Sequence, residues 1–245
     1  MGTARAKTRT PRVTPADVVA FLSKEYGPVE WKPRNDPMSE LVLTILSQHT
    51  SDTNSDRAFA SLMRTFGTIE RVGEASVEDI AAAIRTAGLA KVKAPRIKGV
   101  LEKVHREVGS YDLSFIGEMP LEDAKAWLRS LPGIGPKTAA IVLCFSFGMP
   151  AMPVDTHIQR VSKRLGLIGP KVSADRAHDI LEAKVPPEQV FPFHVYLITH
   201  GRRVCKALRP RCGECVLAWG CPSRKLFEAS SRSKPTAKSR RPAKR

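Results

Sequence analysis

Between Pro15 and Gly201 the apolar residues recur with the period of a helix, and no stretch shows the alternation of a half-buried strand. That restricts the chain to an all-α fold, in which helices bury apolar stripes against one another. Pro15–Leu22 opens one helix, and Ser39–Leu46 is a second, apolar enough to be buried. Ser55–Phe66 is amphipathic, with Ala58, Leu62 and Phe66 at helical spacing. Ser76-Val-Glu-Asp79 reads as a capping box before a helix that ends near Gly88. Ala94–Val108, Leu121–Leu128, Thr138–Phe147, Thr156–Leu165, Ala174–Ala183 and Phe193–Gly201 complete about ten helices, with Thr138–Phe147 at the centre.

A chain of 245 residues can bury one large core or two small ones. Its net charge of +16 is uneven, because Met1–Arg12 and Arg224–Arg245 together supply +12. A phosphate backbone is the natural partner for such charge, although basic ends also serve solubility alone. Residues 1–14 and 229–245 have almost nothing to bury and are expected to be disordered basic arms. No segment approaches a membrane span, and the N-terminus lacks the apolar stretch of a signal peptide. Four of the five cysteines crowd into one short segment of a long chain, which points to a reducing compartment.

Leu131-Pro-Gly-Ile-Gly-Pro-Lys-Thr-Ala-Ala140 joins two helices through a tight turn. Gly133 and Gly135 permit backbone conformations closed to other residues, and their amides can approach a phosphate. Ile134 is expected to anchor the turn in the core, and Pro136 suits the first helical turn, where no N–H is needed. The pattern fits a helix-hairpin-helix clamp on a DNA backbone; an ordinary helix–helix turn is the alternative. Lys137 then stands in the first turn of a helix, where its amine has reason to lose its proton and act as a nucleophile. A surface lysine touching phosphate would look the same. Asp155, in Pro153-Val-Asp-Thr-His157, reads either as a simple N-cap or as a carboxylate serving that amine. His157 and Arg160 follow on the same helical face and are expected to contact DNA, His157 as a positioning group rather than a catalyst.

Cys205-x6-Cys212-x2-Cys215-x5-Cys221 places four thiols in one basic segment that includes Lys206, Arg209 and Arg211. Four thiolates can hold zinc or a [4Fe–4S] cluster, and spacing alone leaves both open. Cys144 lies apart, in the apolar run Ile141–Phe145, and reads as a core residue.

Leu131–Ala140 together with Val154-Asp-Thr-His-Ile-Gln-Arg160 resembles the signature of the endonuclease III family of helix-hairpin-helix DNA glycosylases. The resemblance runs from about Pro37 to Cys221. It implies a two-domain all-α fold with a C-terminal iron–sulfur loop. Residues 38–150 would form one helical domain carrying the hairpin; residues 15–37 and 151–223 would form the second, with the cluster. It implies Lys137 as nucleophile and Schiff-base former, Asp155 as its carboxylate partner, and a [4Fe–4S] cluster on Cys205, Cys212, Cys215 and Cys221.

A base must leave the helical stack before its glycosidic bond can be attacked. Leu46–Asp52 is a polar cluster after a buried helix, and in the register of the family His49 falls at the gap-filling position, where many members carry glutamine. Gln48 is adjacent, and Asp52 matches the family's aspartate. Leu89 matches the apolar wedge of a second loop, Gly88–Ala94, where Lys91 and Lys93 are expected to hold the flanking backbone. His49 and the Ala90-Lys91-Val92 sequence depart from the commoner pattern, which bears on substrate range rather than on reaction type.

The resemblance therefore implies a monomeric bifunctional DNA glycosylase and abasic-site lyase. Its partner would be double-stranded DNA with damaged bases or abasic sites, in a cytoplasmic setting on chromosomal DNA. Oxidised pyrimidines are the expected substrates. Two other readings stay open: a uracil or thymine mismatch glycosylase or mainly an abasic-site lyase, and a non-catalytic DNA-binding protein.

Overall fold

The computed structural model describes residues 11–232, with side chains to 228. Among the described residues there are twelve α-helices, five short 3-10 turns and no strand. The helices are α1 Pro15–Tyr26, α2 Pro37–Ser47, α3 Asp52–Phe66, α4 Ile69–Glu74, α5 Val77–Ala83, α6 Ala90–Val108, α7 Leu121–Ser130, α8 Pro136–Phe147, α9 Thr156–Leu165, α10 Ala174–Glu182, α11 Val190–Arg203 and α12 Arg224–Arg232. None of them is long and apolar enough to cross a membrane.

Local chemistry sets most of the helix starts. Thr14 accepts from Asp17 N at 3.2 Å while the Asp17 carboxylate accepts from Thr14 N at 2.8 Å, a reciprocal capping box on α1. Asp36, Ser51, Thr68, Ser76 and Ser173 cap α2, α3, α4, α5 and α10 through side-chain oxygens. Ser76 bonds Asp79 N as expected, but the Asp79 carboxylate returns to the Ser76 hydroxyl instead of to its backbone N–H. The helix it starts stops at Ala83, and a 3-10 turn, Arg85–Ala87, carries the chain to Gly88.

Two apolar cores form. The first runs from Met38 to Ala151 and takes in the stripes of α2 to α8. The second joins Val18 and Leu22 of α1 to residues of α9, α10 and α11, and to Leu217. Helix α8 serves both: Val142 and Leu143 belong to the first core and Cys144 to the second. Burial holds the Cys144 thiol neutral, pushing its pKa up to about 12. Each fully buried Leu or Ile of these stripes contributes roughly 1.5–3 kcal/mol of transfer free energy.

Three expectations need correction. Pro11–Thr14 is not a free arm, since Val13 is buried in the second core and would meet any side chain placed at Gly220. The C-terminal arm is helical as far as Arg232, in α12, and its remainder lies outside the described residues, as do residues 1–10. Helix α6 begins at Ala90, so Lys91 and Lys93 belong to a helix and not to a loop.

Candidate functional site

The hairpin between α7 and α8 needs glycine at one position. Gly133 has φ +73°, and a Cβ there would collide with the Arg96 side chain. Gly135 is different: its φ of −96° suits any residue and a Cβ would meet nothing within 4 Å. Its value is as the N-cap of α8, where a small residue leaves the backbone amides approachable. Ile134 is buried in the first core and Pro136 occupies the first turn, as expected.

Lys137 is exposed on that first turn. Asp155 is the N-cap of α9: its Oδ1 accepts from Ile158 N at 2.7 Å. Its Oδ2 has no hydrogen-bond partner among the described residues, so the capping and the reactive roles need not compete.

Beneath these two lies a group that the sequence did not single out. His194 of α11 is 4% exposed, and its Nδ1 lies 2.9 Å from Pro153 O. A carbonyl only accepts, so Nδ1 carries the proton in the neutral ring. Burial drives the His194 pKa down to about 4, against opposing help from the Pro153 carbonyl and the Asp155 charge, while Lys137 and Arg34 add to the fall. Lys137, Asp155 and Arg34 are thus near enough for their charges to act on one buried imidazole. Its ring meets Phe145 edge-on at 5.4 Å, and Phe145 in turn carries the Arg34 guanidinium over its face at 4.9 Å.

The two loops expected to open the duplex are joined by backbone and side chain. Among the described residues, His49 and Leu89 are the two non-glycine residues with positive φ, at 55° and 50°. Both side chains are exposed, Leu89 by 57%. Left-handed backbone at such residues costs about 1–2 kcal/mol and persists only where the surroundings impose it. Here Thr50 donates to Ala87 O, and the Lys93 ammonium donates to Leu46 O at 2.6 Å and Ala87 O at 2.9 Å. Lys93 therefore cannot hold flanking phosphates. It is 2% exposed, its pKa is lowered by burial, and it pins the two loops to each other. Lys91 does reach the surface.

Gln48 also turns inward. Its Oε1 accepts from Arg96 and its Nε2 donates to Thr138 Oγ1 at 3.3 Å, which ties the end of α2 to the hairpin beside Lys137. Asp52 pairs with Arg202 of α11 at 2.6 Å, an ion pair half open to solvent that spans the two cores. Arg160 is engaged with Gly201 O at 2.9 Å, Cys205 O at 3.1 Å and His157 Nδ1 at 3.1 Å. Its guanidinium and His157 thus brace α9 against α11 and the cysteine segment, leaving Arg160 poorly placed for phosphate.

Cys205, Cys212, Cys215 and Cys221 all line one small cavity. Val161, Leu165, Val204 and Phe227 supply apolar wall, and none of the four thiols is in a disulfide. Among the described residues no three His, Cys, Asp or Glu side chains converge closely enough to hold a metal ion. Burial raises the Cys212, Cys215 and Cys221 pKa values, Cys215 to about 11. Arg164 Nη1 lies 3.4 Å from Cys205 Sγ and donates to Lys206 O at 2.7 Å. Lys206, Arg209 and Arg211 are exposed, with Arg211 paired to Glu214 at 3.2 Å.

Sequence and structure comparisons bear on the family. Residues 42–187 match the model of the HhH-GPD superfamily base excision DNA repair proteins. The chain is 36% identical over 183 residues to endonuclease III of Sulfolobus acidocaldarius, covering 74% of this chain and 79% of that protein. Against endonuclease III of Escherichia coli K12 it is 36% identical over 186 residues, covering 75% and 82%. Among solved structures, a non-covalent endonuclease III–DNA complex superposes with a TM-score of 0.75 at 28% identity, over 89% of this chain and 99% of that one. A trapped endonuclease III–DNA covalent intermediate gives 0.74 at 28% identity, over 87% and 98%.

Proposed function

The chain belongs to the HhH-GPD superfamily of base excision DNA repair proteins, and from that premise we propose how its own residues act. It binds double-stranded DNA containing damaged bases or abasic sites, excises oxidised pyrimidines and cleaves the abasic site that results. What supports the residue assignment is that Lys137 opens α8, the helix both cores share, and Asp155 caps α9 two residues after the Pro153 carbonyl that buried His194 holds, with both charges acting on that imidazole.

In this reading residues 38–150 form one domain and residues 15–37 with 151–223 the other, and duplex DNA lies across the cleft between them. Amides of the Gly133–Gly135 turn approach a phosphate. His49 and Leu89 enter the stack as the damaged nucleotide leaves it, and Lys91, Lys206, Arg209 and Arg211 face the backbone. The Lys137 amine attacks C1′, the glycosidic bond breaks, and the base departs with the bonding electron pair. Asp155 Oδ2 stabilises the positive charge that develops on the sugar and accepts the amine proton. The C1′–O4′ bond then breaks as O4′ takes that proton back from Asp155, leaving the lysine–sugar Schiff base, which loses a C2′ proton so that the 3′ phosphate leaves by β-elimination. Water hydrolyses the imine and frees the enzyme.

Cys205, Cys212, Cys215 and Cys221 would hold a [4Fe–4S] cluster. In such a cluster each thiolate binds its own iron, so four sulfurs distributed around one apolar cavity suit it. Cys215 Sγ lies 3.3 Å from His200 Nε2, and His200 Nδ1 lies 3.0 Å from the Tyr26 hydroxyl. A thiolate only accepts, which places the His200 proton on Nε2 and leaves Nδ1 to receive the Tyr26 hydroxyl. When bound, the cluster supplies a cross-link that fixes the basic loop.

Borohydride trapping tests the reading. Duplexes with thymine glycol, with uracil opposite guanine and with an abasic site are incubated with wild type and Lys137→Ala. A covalent adduct and strand cleavage on thymine glycol, both lost in Lys137→Ala, are expected. Cleavage of the abasic site alone would remove the oxidised-pyrimidine assignment. An adduct that persists in Lys137→Ala would remove the nucleophile. Iron and sulfide analysis should return about four of each per chain; zinc in their place would overturn the cluster.

A further inference from the structure

Glu40 sits in the first turn of the apolar helix α2 and is fully buried. An isolated carboxylate there would be costly, and the chain surrounds it with donors. Arg34 Nε reaches Oε2 at 2.9 Å and Arg34 Nη2 reaches Oε1. Asn35 Nδ2 reaches Oε2 at 3.0 Å and Thr44 Oγ1 reaches Oε1 at 3.4 Å. Burial works against the charged guanidinium, but the bond to Glu40 outweighs it and Arg34 stays firmly protonated.

This fork engages one edge of the guanidinium. Nη1, at the other end, has no acceptor among the described residues, and 48% of the Arg34 side chain is open to solvent. One face lies on Phe145, whose other neighbours are His194 and Phe191, both edge-on at 5.4 Å. His194 holds Pro153 O, two residues before Asp155. Arg34 is thus linked through the rings of Phe145 and His194 to the segment that carries Asp155, and the charges of Arg34, Lys137 and Asp155 all act on that same imidazole. The backbone of this strap is fastened independently: Trp31 Nε1 donates to Cys144 O at 2.8 Å and Arg34 N to Phe145 O at 3.4 Å. Docking of the strap thus does not depend on the guanidinium.

We propose that Arg34, held rigid by Glu40 and Phe145, presents Nη1 to the extruded base and reads a carbonyl oxygen on it. The proposal rests on the glycosylase reading above and narrows its substrate class. Guanidinium is donor-only, so it favours bases with oxygen at the ring positions it meets and disfavours those that present an amino group there. Lesions derived from thymine or uracil carry two ring carbonyls and suit it better than cytosine derivatives, which keep an exocyclic amine. An oxygen on the flanking phosphate is the other acceptor this edge can meet, and the two sources separate cleanly. A preformed abasic site has phosphates but no base.

The test compares two single-turnover rates in one duplex sequence: excision of thymine glycol, and β-elimination at a preformed abasic site. The variant is Arg34→Ala combined with Glu40→Gln, so that no buried charge is stranded. Excision should fall about 10- to 100-fold, the worth of a hydrogen bond to a charged donor, while abasic-site cleavage keeps its wild-type rate. Arg34→Lys, which retains the charge but loses the fork, should show the same split more weakly and serves if the double variant unfolds. A parallel fall in both rates would make Arg34 a phosphate contact or a structural strap, and unchanged excision would leave it no role in the pocket; either overturns the proposal. A wild-type protein inactive on both substrates would overturn the glycosylase reading first, and this inference with it.

Discussion

Replacing Leu89 by glycine should stabilise the protein relative to replacing it by alanine, the reverse of the usual order. Leu89 has φ 50° and ψ 32° and is 57% exposed, so truncating it loses little burial in either variant. Its backbone is held there because Leu89 O accepts from Val92 N at 2.9 Å and Lys93 N at 3.0 Å, as the N-cap of α6. Alanine keeps the left-handed strain of roughly 1–2 kcal/mol, whereas glycine removes it and loses about 0.5–1 kcal/mol through a freer unfolded chain. Glycine should come out ahead by roughly 0.5–1 kcal/mol, or about 2 °C in midpoint for a chain of this size. Excision from paired duplex should nonetheless fall alike in both, because both lack the side chain proposed to fill the vacated space. Urea unfolding followed by circular dichroism gives the first comparison, and single-turnover excision the second. A glycine variant less stable than the alanine one would mean that the loop is relaxed and its geometry is not imposed. Full excision activity in either variant would show that Leu89 does not enter the stack.

Asp155→Asn preserves a good N-cap for Ile158 N, so stability should move by no more than about 0.5 kcal/mol, while excision drops at least about 100-fold; a large stability loss with modest kinetic change would reduce Asp155 to a cap. Buried His194 and His178 both have lowered pKa values, His194 to about 4. Between about pH 4 and 6.5 the unfolded chain binds more protons than the folded one, so stability is present above that window and is lost as pH falls through it, by on the order of 3 kcal/mol for His194. Urea midpoints at pH 7, 6 and 5 should decline, and His194→Gln should flatten the slope; a flat wild-type profile would contradict the burial argument. Deleting residues 224–245 removes Arg224 and Phe227 from the mouth of the cysteine cavity, where Arg164 lies 4.3 Å over the Phe227 ring. The brown absorbance of the proposed [4Fe–4S] cluster should then bleach faster in air, and an unchanged rate would show that α12 is no cover.

The helices were readable because an apolar stripe at helical spacing is a physical requirement of burial, and the ends missed were those with little to bury. Helix α4 has only six residues, with Ile69 and Val72 as its buried anchors, too short for a period to show. The polar residues that organise the site were harder, yet each breaks an otherwise apolar stripe. Lys93 falls in line with Ile97, Val100, Leu101 and Val104 on the buried face of α6, so carrying that stripe back one turn would have placed it inside. His194 falls in line with Val190, Phe193, Leu197 and Gly201 on α11, and Glu40 stands among Met38, Leu41 and Val42. A buried polar side chain implies partners, so these three positions announced that something must meet them. The sequence had no means of saying what, because the partners come from distant segments: Leu46 and Ala87, Pro153, and Arg34 resting on Phe145. The left-handed backbone of His49 and Leu89 was hidden for a related reason. Neither is glycine or asparagine, so nothing local asks for that conformation; Thr50 and Lys93 impose it by tying each loop to the other. The chain marks its functional positions by placing residues against their local preference, and tertiary contacts from elsewhere in the fold hold them there.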